Sequence, residues 1–284
     1  MKDQYEFLDY RIQQEHNHLA LVDKDNPMSS LLSVELNCTE LCNRRCEFCP
    51  RYDSDVYPNQ NLNMDLKTAV VVGDQLSAIN YKGKISFSGY GENILNKAFP
   101  NIVNQIRIRL PHNVIECNTN GDKLTKQMAE DLYNGGLSNL YINLYDGIHQ
   151  KEHFDKIVGH LPSDWYVYRK HWDPEDFGMI LNNRSGVMKW VEQDPHPGRP
   201  CYYPSYKMMI DWNGNVLFCS NDWARERIVG NIHHHTIEQI WMSDTMMEYR
   251  KKLGSGDRSM SPCNKCSVPG NLFGRASYEI IACA

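Results

Sequence analysis

The sequence predicts an α/β fold: a parallel sheet covered by helices, followed by a smaller α+β segment. Three observations point there. Between residues 30 and 181, β-branched runs alternate with amphipathic runs, the pattern of strand–helix units whose strands lie parallel. The Pro-rich stretch Asp194-Pro195-His196-Pro197-Gly198-Arg199-Pro200 then marks a boundary. Beyond it, Asn213-Gly214 lies between two apolar runs and signals a hairpin. The expected units are an N-terminal extension over residues 1–30, the α/β unit over 31–195 and the α+β unit over 196–284.

Taken in order, residues 1–30 are polar and close on Asp25-Asn26-Pro27, as a surface extension would. Residues 30–37 form an apolar, β-branched strand leading into a cysteine loop. Residues 51–63, rich in Tyr, Asp, Asn and Pro, form a long loop. A helix over 64–80 places Leu66, Val70, Leu76 and Ile79 near helical spacing. Strands follow at 84–88, 113–118 and 139–145, with helices at 98–110 and 123–134, the latter ended by Gly135-Gly136. The last strands of this unit are expected at 165–170 and 179–181. In the C-terminal unit, strands at 206–211 and 216–219 flank the hairpin turn. Helices follow at 236–242, capped by Thr236, and at 244–253.

Composition sets limits. The net charge of −5 argues against a nucleic-acid surface built on bulk charge. No apolar run approaches the length of a membrane span, and the opening Met1-Lys2-Asp3-Gln4-Tyr5-Glu6 lacks a signal-peptide core. The expected setting is therefore a reducing cytoplasm, where the ten cysteines read as metal or cluster ligands rather than disulfides.

The densest chemistry is Cys42-Asn43-Arg44-Arg45-Cys46-Glu47-Phe48-Cys49. Three thiolates on a four-iron cluster leave one iron without a protein ligand, open to a cofactor. Two Cys-x2-Cys pairs, Cys46/Cys49 and Cys263/Cys266, would also suit zinc, a reading that leaves Cys42 without a purpose. The Cys-x3-Cys-x2-Cys spacing resembles that of the radical S-adenosylmethionine (SAM) superfamily. The resemblance implies a partial (β/α)6 barrel, a [4Fe-4S] cluster on Cys42, Cys46 and Cys49, and SAM chelated to the open iron. Phe48 is implied to pack beside the adenine. A one-electron reductant such as flavodoxin or ferredoxin is implied as a partner, and a 5′-deoxyadenosyl radical as the reactive species.

Cys201, Cys219, Cys263 and Cys266 form a second set, legal by spacing for either zinc or an iron–sulfur cluster. With the intervening Gly214-Asn215-Val216-Leu217-Phe218, Val229-Gly230-Asn231-Ile232 and Ile240-Trp241, they resemble the twitch domain, a short relative of the SPASM domain. That resemblance implies one auxiliary [4Fe-4S] cluster, fully held by protein and suited to electron transfer.

Ser88-Gly89-Tyr90-Gly91-Glu92 follows a strand; its glycines allow close backbone approach and its carboxylate can take an ammonium. It resembles the family's Gly-Glu motif for the SAM amino group, with Asn93 where proline is usual. Strand alternation puts Asn118 and Asn120 on one side, inward, and Cys117 and Thr119 on the other. Asn143, on the next strand, stands where the family places a polar SAM contact. Arg184, within Asn183-Arg184-Ser185-Gly186, and Tyr90 resemble substrate contacts of the family's aminocyclitol-oxidising dehydrogenases. Asn118 and Ser220 replace pocket aromatics of that branch, implying a wetter pocket. Taken singly, each of these polar residues also suits a loop cap or surface position. His233-His234-His235 falls in a variable loop with side chains diverging, a poor metal site.

The expected function is two-electron oxidation of a small polar alcohol, such as an aminocyclitol or sugar-like molecule. A redox-neutral epimerase or isomerase is the alternative, with Cys38, Cys117 or Cys283 returning a hydrogen atom. Modification of a ribosomal peptide or other macromolecule is a third reading, since twitch and SPASM relatives often act on peptides.

Overall fold

The computed structural model describes residues 17, 19–171, 181–191 and 198–283, the last by its backbone only. Eight strands form one sheet in the order β5-β4-β3-β2-β1-β6-β7-β8. The strands are β1 (Ser33–Leu36), β2 (Lys84–Phe87), β3 (Ile115–Thr119), β4 (Asn139–Leu144), β5 (Tyr166–Lys170), β6 (Lys207–Ile210), β7 (Asn215–Leu217) and β8 (Ile228–Asn231). The first six are parallel neighbours and make the open barrel. Helices α1 (Leu66–Ala78), α2 (Phe99–Arg109), α3 (Lys126–Asn134) and α4 (Gln150–Val158) connect successive strands. The mixed α/β class and the partial radical-SAM-type barrel are as expected.

Side chains alternate with the pleat. Val34, Leu36, Ile85, Phe87, Ile115, Cys117, Leu140 and Ile142 join the hydrophobic core. There they meet Val72, Ile102, Val103, Ile106, Leu132 and Phe154 from the helices. The opposite face of the same strands is polar and charged. Lys84 pairs with Glu116 at 3.1 Å, and Lys207 with Glu35 at 3.0 Å. A barrel that wraps a polar cofactor needs this reversal, because buried charges persist only when paired.

Local chemistry explains most boundaries. The Asp65 carboxylate accepts the Thr68 N–H at 2.7 Å and starts α1, and the Thr125 hydroxyl starts α3. Gly214 takes φ +81° in the β6–β7 turn, as the Asn-Gly signal requires. α5 (Ile237–Trp241) opens on a full capping box between Thr236 and Gln239, and α6 (Asp244–Gly254) follows.

Three features depart from expectation, and a further expected element lies mostly outside the described residues. α4 was missed because Gln150–Val158 is largely polar and buries only Phe154 and Val158. β8 and α7 (Arg275–Cys283) were likewise not expected from the sequence. The expected strand at 179–181 falls mostly outside the described residues, as do most of the N-terminal extension and the core of the Pro-rich stretch. Finally, the C-terminal segment does not build its own sheet. β6 pairs in parallel with β1, from Ser33↔Lys207 to Leu36↔Ile210, and supplies the sixth barrel strand. Trp241, fully buried, donates its indole N–H to Ser30 Oγ at 2.9 Å, fastening α5 to the barrel's first turn.

Candidate active site

The carboxyl ends of parallel strands carry loops, and here those loops converge. A cavity of about 200 Å³ opens where β1 to β4 end. Its walls include every residue expected to hold the first cluster, the cofactor or the substrate: Cys42, Cys46, Phe48, Cys49, Gly89, Tyr90, Gly91, Glu92, Asn118, Asn120, Asn143 and Arg184. Arg44 and Ser88, within the expected motifs, also line it, as do Arg51, Tyr145 and Trp223, which carried no expectation, and Thr119, which was expected to face away.

The cysteine loop is fixed by charges that flank the thiols. Arg44 bonds Asp122 beyond β3 and Asp146 beyond β4, at 2.6 Å each, so one guanidinium ties the loop to two rims. Arg51, behind Cys49, pairs with Glu40 at 3.1 Å in the interior. Glu40 also accepts Tyr57 Oη–H at 2.9 Å and pairs with Arg225, which bonds Asp211 at 2.6 Å. Cys42, Cys46 and Cys49 are half-buried and in no disulfide. Burial pushes the thiols of Cys42 and Cys46 up to about 11 and about 12. Such thiols become thiolates only when a cation arrives.

Glu92 is the most constrained acid of the cavity. Thr119 Oγ1–H donates to its Oε1 at 2.6 Å and the Asn120 N–H to its Oε2 at 2.8 Å. Burial nevertheless lifts its carboxyl to about 7, against both bonds. Asn37 holds the loop before it: its Oδ1 accepts the N–H groups of Tyr90 and Gly91, at 3.0 and 3.1 Å. Asn93, in the place of the usual proline, accepts the Cys38 N–H at 3.1 Å and so keeps this turn anchored.

Asn118 and Asn120 face the cavity and Cys117 the core, as strand alternation requires. Thr119 departs from that alternation. It ends β3, where the chain turns toward Gly121 at φ +73°, and its hydroxyl swings to Glu92. Asn118 Oδ1 accepts from Arg169. Asn143 donates to Thr119 O at 2.9 Å, and its Oδ1 lies 2.8 Å from His171 Nε2. Burial drops the His171 imidazole to about 3, so the ring is neutral near pH 7. Phe48 stacks on Tyr145 and His171, at 5.7 and 6.2 Å between centroids. Tyr90 forms a wall rather than an acid or base: its hydroxyl donates to Asp222 O at 2.9 Å, and burial keeps its pKa far above the usual value.

Cys219, Cys263 and Cys266 each gain a raised pKa from burial and from the proximity of the other thiols, Cys201 among them. The four cysteines therefore converge. Among the described residues, no three His, Cys, Asp or Glu side chains come close enough to share one metal ion. Three thiolates suffice for a four-iron cubane with one open iron and four hold a closed one, the numbers these two sets offer. Ser220, expected in the pocket, does not line this cavity; beside Cys219, it bonds Tyr203 Oη at 2.5 Å.

Two family models match the chain: the radical SAM superfamily over residues 36–165 and SPASM, an iron–sulfur cluster-binding domain, over residues 201–267. The S-adenosyl-L-methionine-dependent 2-deoxy-scyllo-inosamine dehydrogenase of Niallia circulans is 30% identical over 245 residues, covering 84% of this chain and 94% of the relative. The chain belongs to the radical SAM superfamily. A crystal structure of BtrN in complex with AdoMet and 2-DOIA superposes on this radical SAM enzyme with a TM-score of 0.71. The identity is 28%, and the match covers 84% of this chain and 93% of that one. An open conformation of BtrN gives a TM-score of 0.63 at 24% identity, with 84% and 92% covered.

This radical SAM oxidoreductase uses SAM and a [4Fe-4S] cluster, and its SPASM/twitch segment binds an auxiliary iron–sulfur cluster. No described helix is long and apolar enough to cross a membrane. Thr119, Tyr145, His171 and Asn37 carry no site signal of their own in the sequence, because they act through neighbours distant in the chain. Only the adjacency of Thr119 to Asn120 offered a signal.

Proposed function

We propose that this radical SAM enzyme oxidises a small polar alcohol, of the aminocyclitol or sugar-like class, to the ketone. The carrying observation is the position of Arg184. It lines the cavity that holds Cys42, Cys46 and Cys49, while its Nη1 donates at 3.2 Å to Asn221, next but one to Cys219. A substrate at Arg184 would thus lie between the two cysteine sets. The likeness to the inosamine dehydrogenase supports the same reading.

When bound, SAM and the first cluster supply a hydrogen-abstracting 5′-deoxyadenosyl radical, and the auxiliary cluster supplies an electron acceptor. The chain's own residues do the rest. Cys42, Cys46 and Cys49 hold the first cluster; Cys201, Cys219, Cys263 and Cys266 hold the second. Glu92 takes the SAM ammonium, with Gly89 and Gly91 allowing backbone approach, and Asn120 and Asn143 fix the rim. Phe48, backed by Tyr145 and His171, offers the adenine an aromatic face. The Arg184 Nε–H is buried with no hydrogen-bond partner among the described residues. It is free to hold a substrate oxygen and to stabilise the negative charge that develops there. The hydroxyl proton has an outlet at Ser88, which lines the cavity and donates to Glu35. The electron arrives from a one-electron donor such as flavodoxin or ferredoxin.

Cys38 and Cys117 are fully buried in the core and do not line the cavity, which disfavours them as hydrogen donors for an epimerase. The Cys283 side chain lies outside the described residues. Anaerobic incubation with SAM, a reductant and candidate polyols tests the proposal. Equal amounts of 5′-deoxyadenosine and ketone are expected, with no solvent deuterium at carbon. An epimer carrying deuterium, or turnover of peptides alone, would overturn it.

A further inference from the structure

The turn that carries Arg184 is welded to the auxiliary cysteines. Asn183, completely buried, bonds the loop between Cys263 and Ser267 three times. Its N–H reaches Ser267 Oγ at 2.8 Å, its Nδ2 reaches Lys265 O at 2.7 Å, and its Oδ1 accepts the Ser267 N–H at 3.1 Å. Arg184 and Ser185 then take φ +49° and +55°, a left-handed conformation that side chains beyond glycine rarely adopt. That strain is held by the Asn183 bonds, and it turns the Arg184 side chain back toward the cavity.

At its far end Arg184 meets Asn221. Asn221 Oδ1 accepts from Arg184 Nη1 at 3.2 Å, while the Asn221 backbone N–H donates to Cys219 Sγ at 3.4 Å. The Asn221 Nδ2 lies 4.0 Å from the same sulfur. One residue therefore accepts from the cavity's arginine and donates to a ligand of the auxiliary cluster. Hydrogen bonds to cluster sulfurs are among the levers that set reduction potential. A donor to the thiolate favours the reduced, more negative cluster and so raises its potential.

We propose that Asn221 is a positioning residue that couples Arg184 to the auxiliary cluster. It fixes the guanidinium toward the substrate, and the guanidinium polarises the Asn221 amide, whose Nδ2–H lies against Cys219 Sγ. That side-chain contact, not the backbone N–H, is what the Asn221 variants remove. The inference rests on Cys219 being a cluster ligand. It does not require the substrate to be an alcohol.

The test is an anaerobic redox titration of the auxiliary cluster in the reconstituted holoenzyme, read by electron paramagnetic resonance. Its variants are Asn221→Ala, Asn221→Asp, Arg184→Gln and the double variant Arg184→Gln/Asn221→Ala. Iron and sulfide content qualifies each variant, and no substrate is present. Each single variant is expected to lower the potential. Asn221→Asp should shift it most, by about tenfold in the one-electron equilibrium, or about 59 mV. The double variant should shift no further than the larger of its two single variants, because both break one chain of contacts. Additive shifts, or wild-type potentials in cluster-replete Asn221 variants, would overturn the proposal. If turnover assays found no alcohol oxidation while the non-additivity held, the functional reading would fail and this coupling would stand.

Discussion

The backbone N–H of Asn120 donates to the Glu92 carboxylate at 2.8 Å, so the loop after β3 sets the acid carried by the loop after β2. That acid is buried, and burial lifts its carboxyl from 4.5 to about 7. A carboxyl raised in this way binds more protons folded than unfolded between those two values. Its contribution to the stability of the ligand-free protein therefore falls as pH rises through that window. SAM brings an ammonium and needs the ionised form. Affinity for SAM should weaken at least tenfold from about pH 7.5 to about pH 5.5, and equilibrium dialysis at the two values measures it. A flat profile would remove Glu92 from the site. Glu92→Gln should bind weakly at both.

Gly91 touches the backbone beneath it. A Cβ built there would overlap the Thr39 carbonyl oxygen and crowd that of Leu41. The bond from the Glu92 N–H to Leu41 O, now 2.7 Å, would have to open. Gly91→Ala should cost about 1–3 kcal/mol by overpacking and should also weaken SAM binding. Thermal melts and SAM titration on one preparation check both. Unchanged SAM affinity would count against the loop's role.

Glu40 sits between Arg51 and Arg225 in the interior. Removing it as Glu40→Ala leaves the buried Arg51 without a carboxylate, while Arg225 keeps Asp211, at a cost of about 3–5 kcal/mol. Denaturant unfolding of the anaerobic protein measures this. A cost below about 1 kcal/mol would show that the network relaxes, as exposed pairs do.

Arg184→Gln should lower kcat/KM on the proposed alcohol about 10- to 100-fold, the range of one charge-assisted hydrogen bond. Slow SAM cleavage without substrate should persist. Loss of that cleavage as well would assign Arg184 to the cofactor instead.

Cys266→Ala should drop iron to about half, one cluster of two, and abolish ketone while leaving 5′-deoxyadenosine formation. Cys46→Ala should abolish both products. Ketone at wild-type yield from Cys266→Ala would detach the auxiliary cluster from the reaction.

The sequence by itself determined the chemistry that short spacing can encode. Three cysteines within eight residues, a Gly-x-Gly-Glu turn after a strand, and Asn-Gly between apolar runs each carry their meaning locally. One stretch of backbone fixes where those side chains sit. Strand alternation also sorted Cys117 from Asn118 and Asn120, since period two needs no partner. What only the tertiary structure decided depends on residues far apart in sequence. Thr119 reaches Glu92, His171 meets Asn143 and Phe48, and β6 enters the barrel beside β1. Arg184 connects the cavity to Cys219 through Asn221. Helix α4 stayed hidden because it is short and mostly polar, its apolar stripe confined to Phe154, Ile157 and Val158 in the last turn and a half. Such pairings form because burial forces polar groups to find partners across the sheet, and no local pattern records which partner will be there.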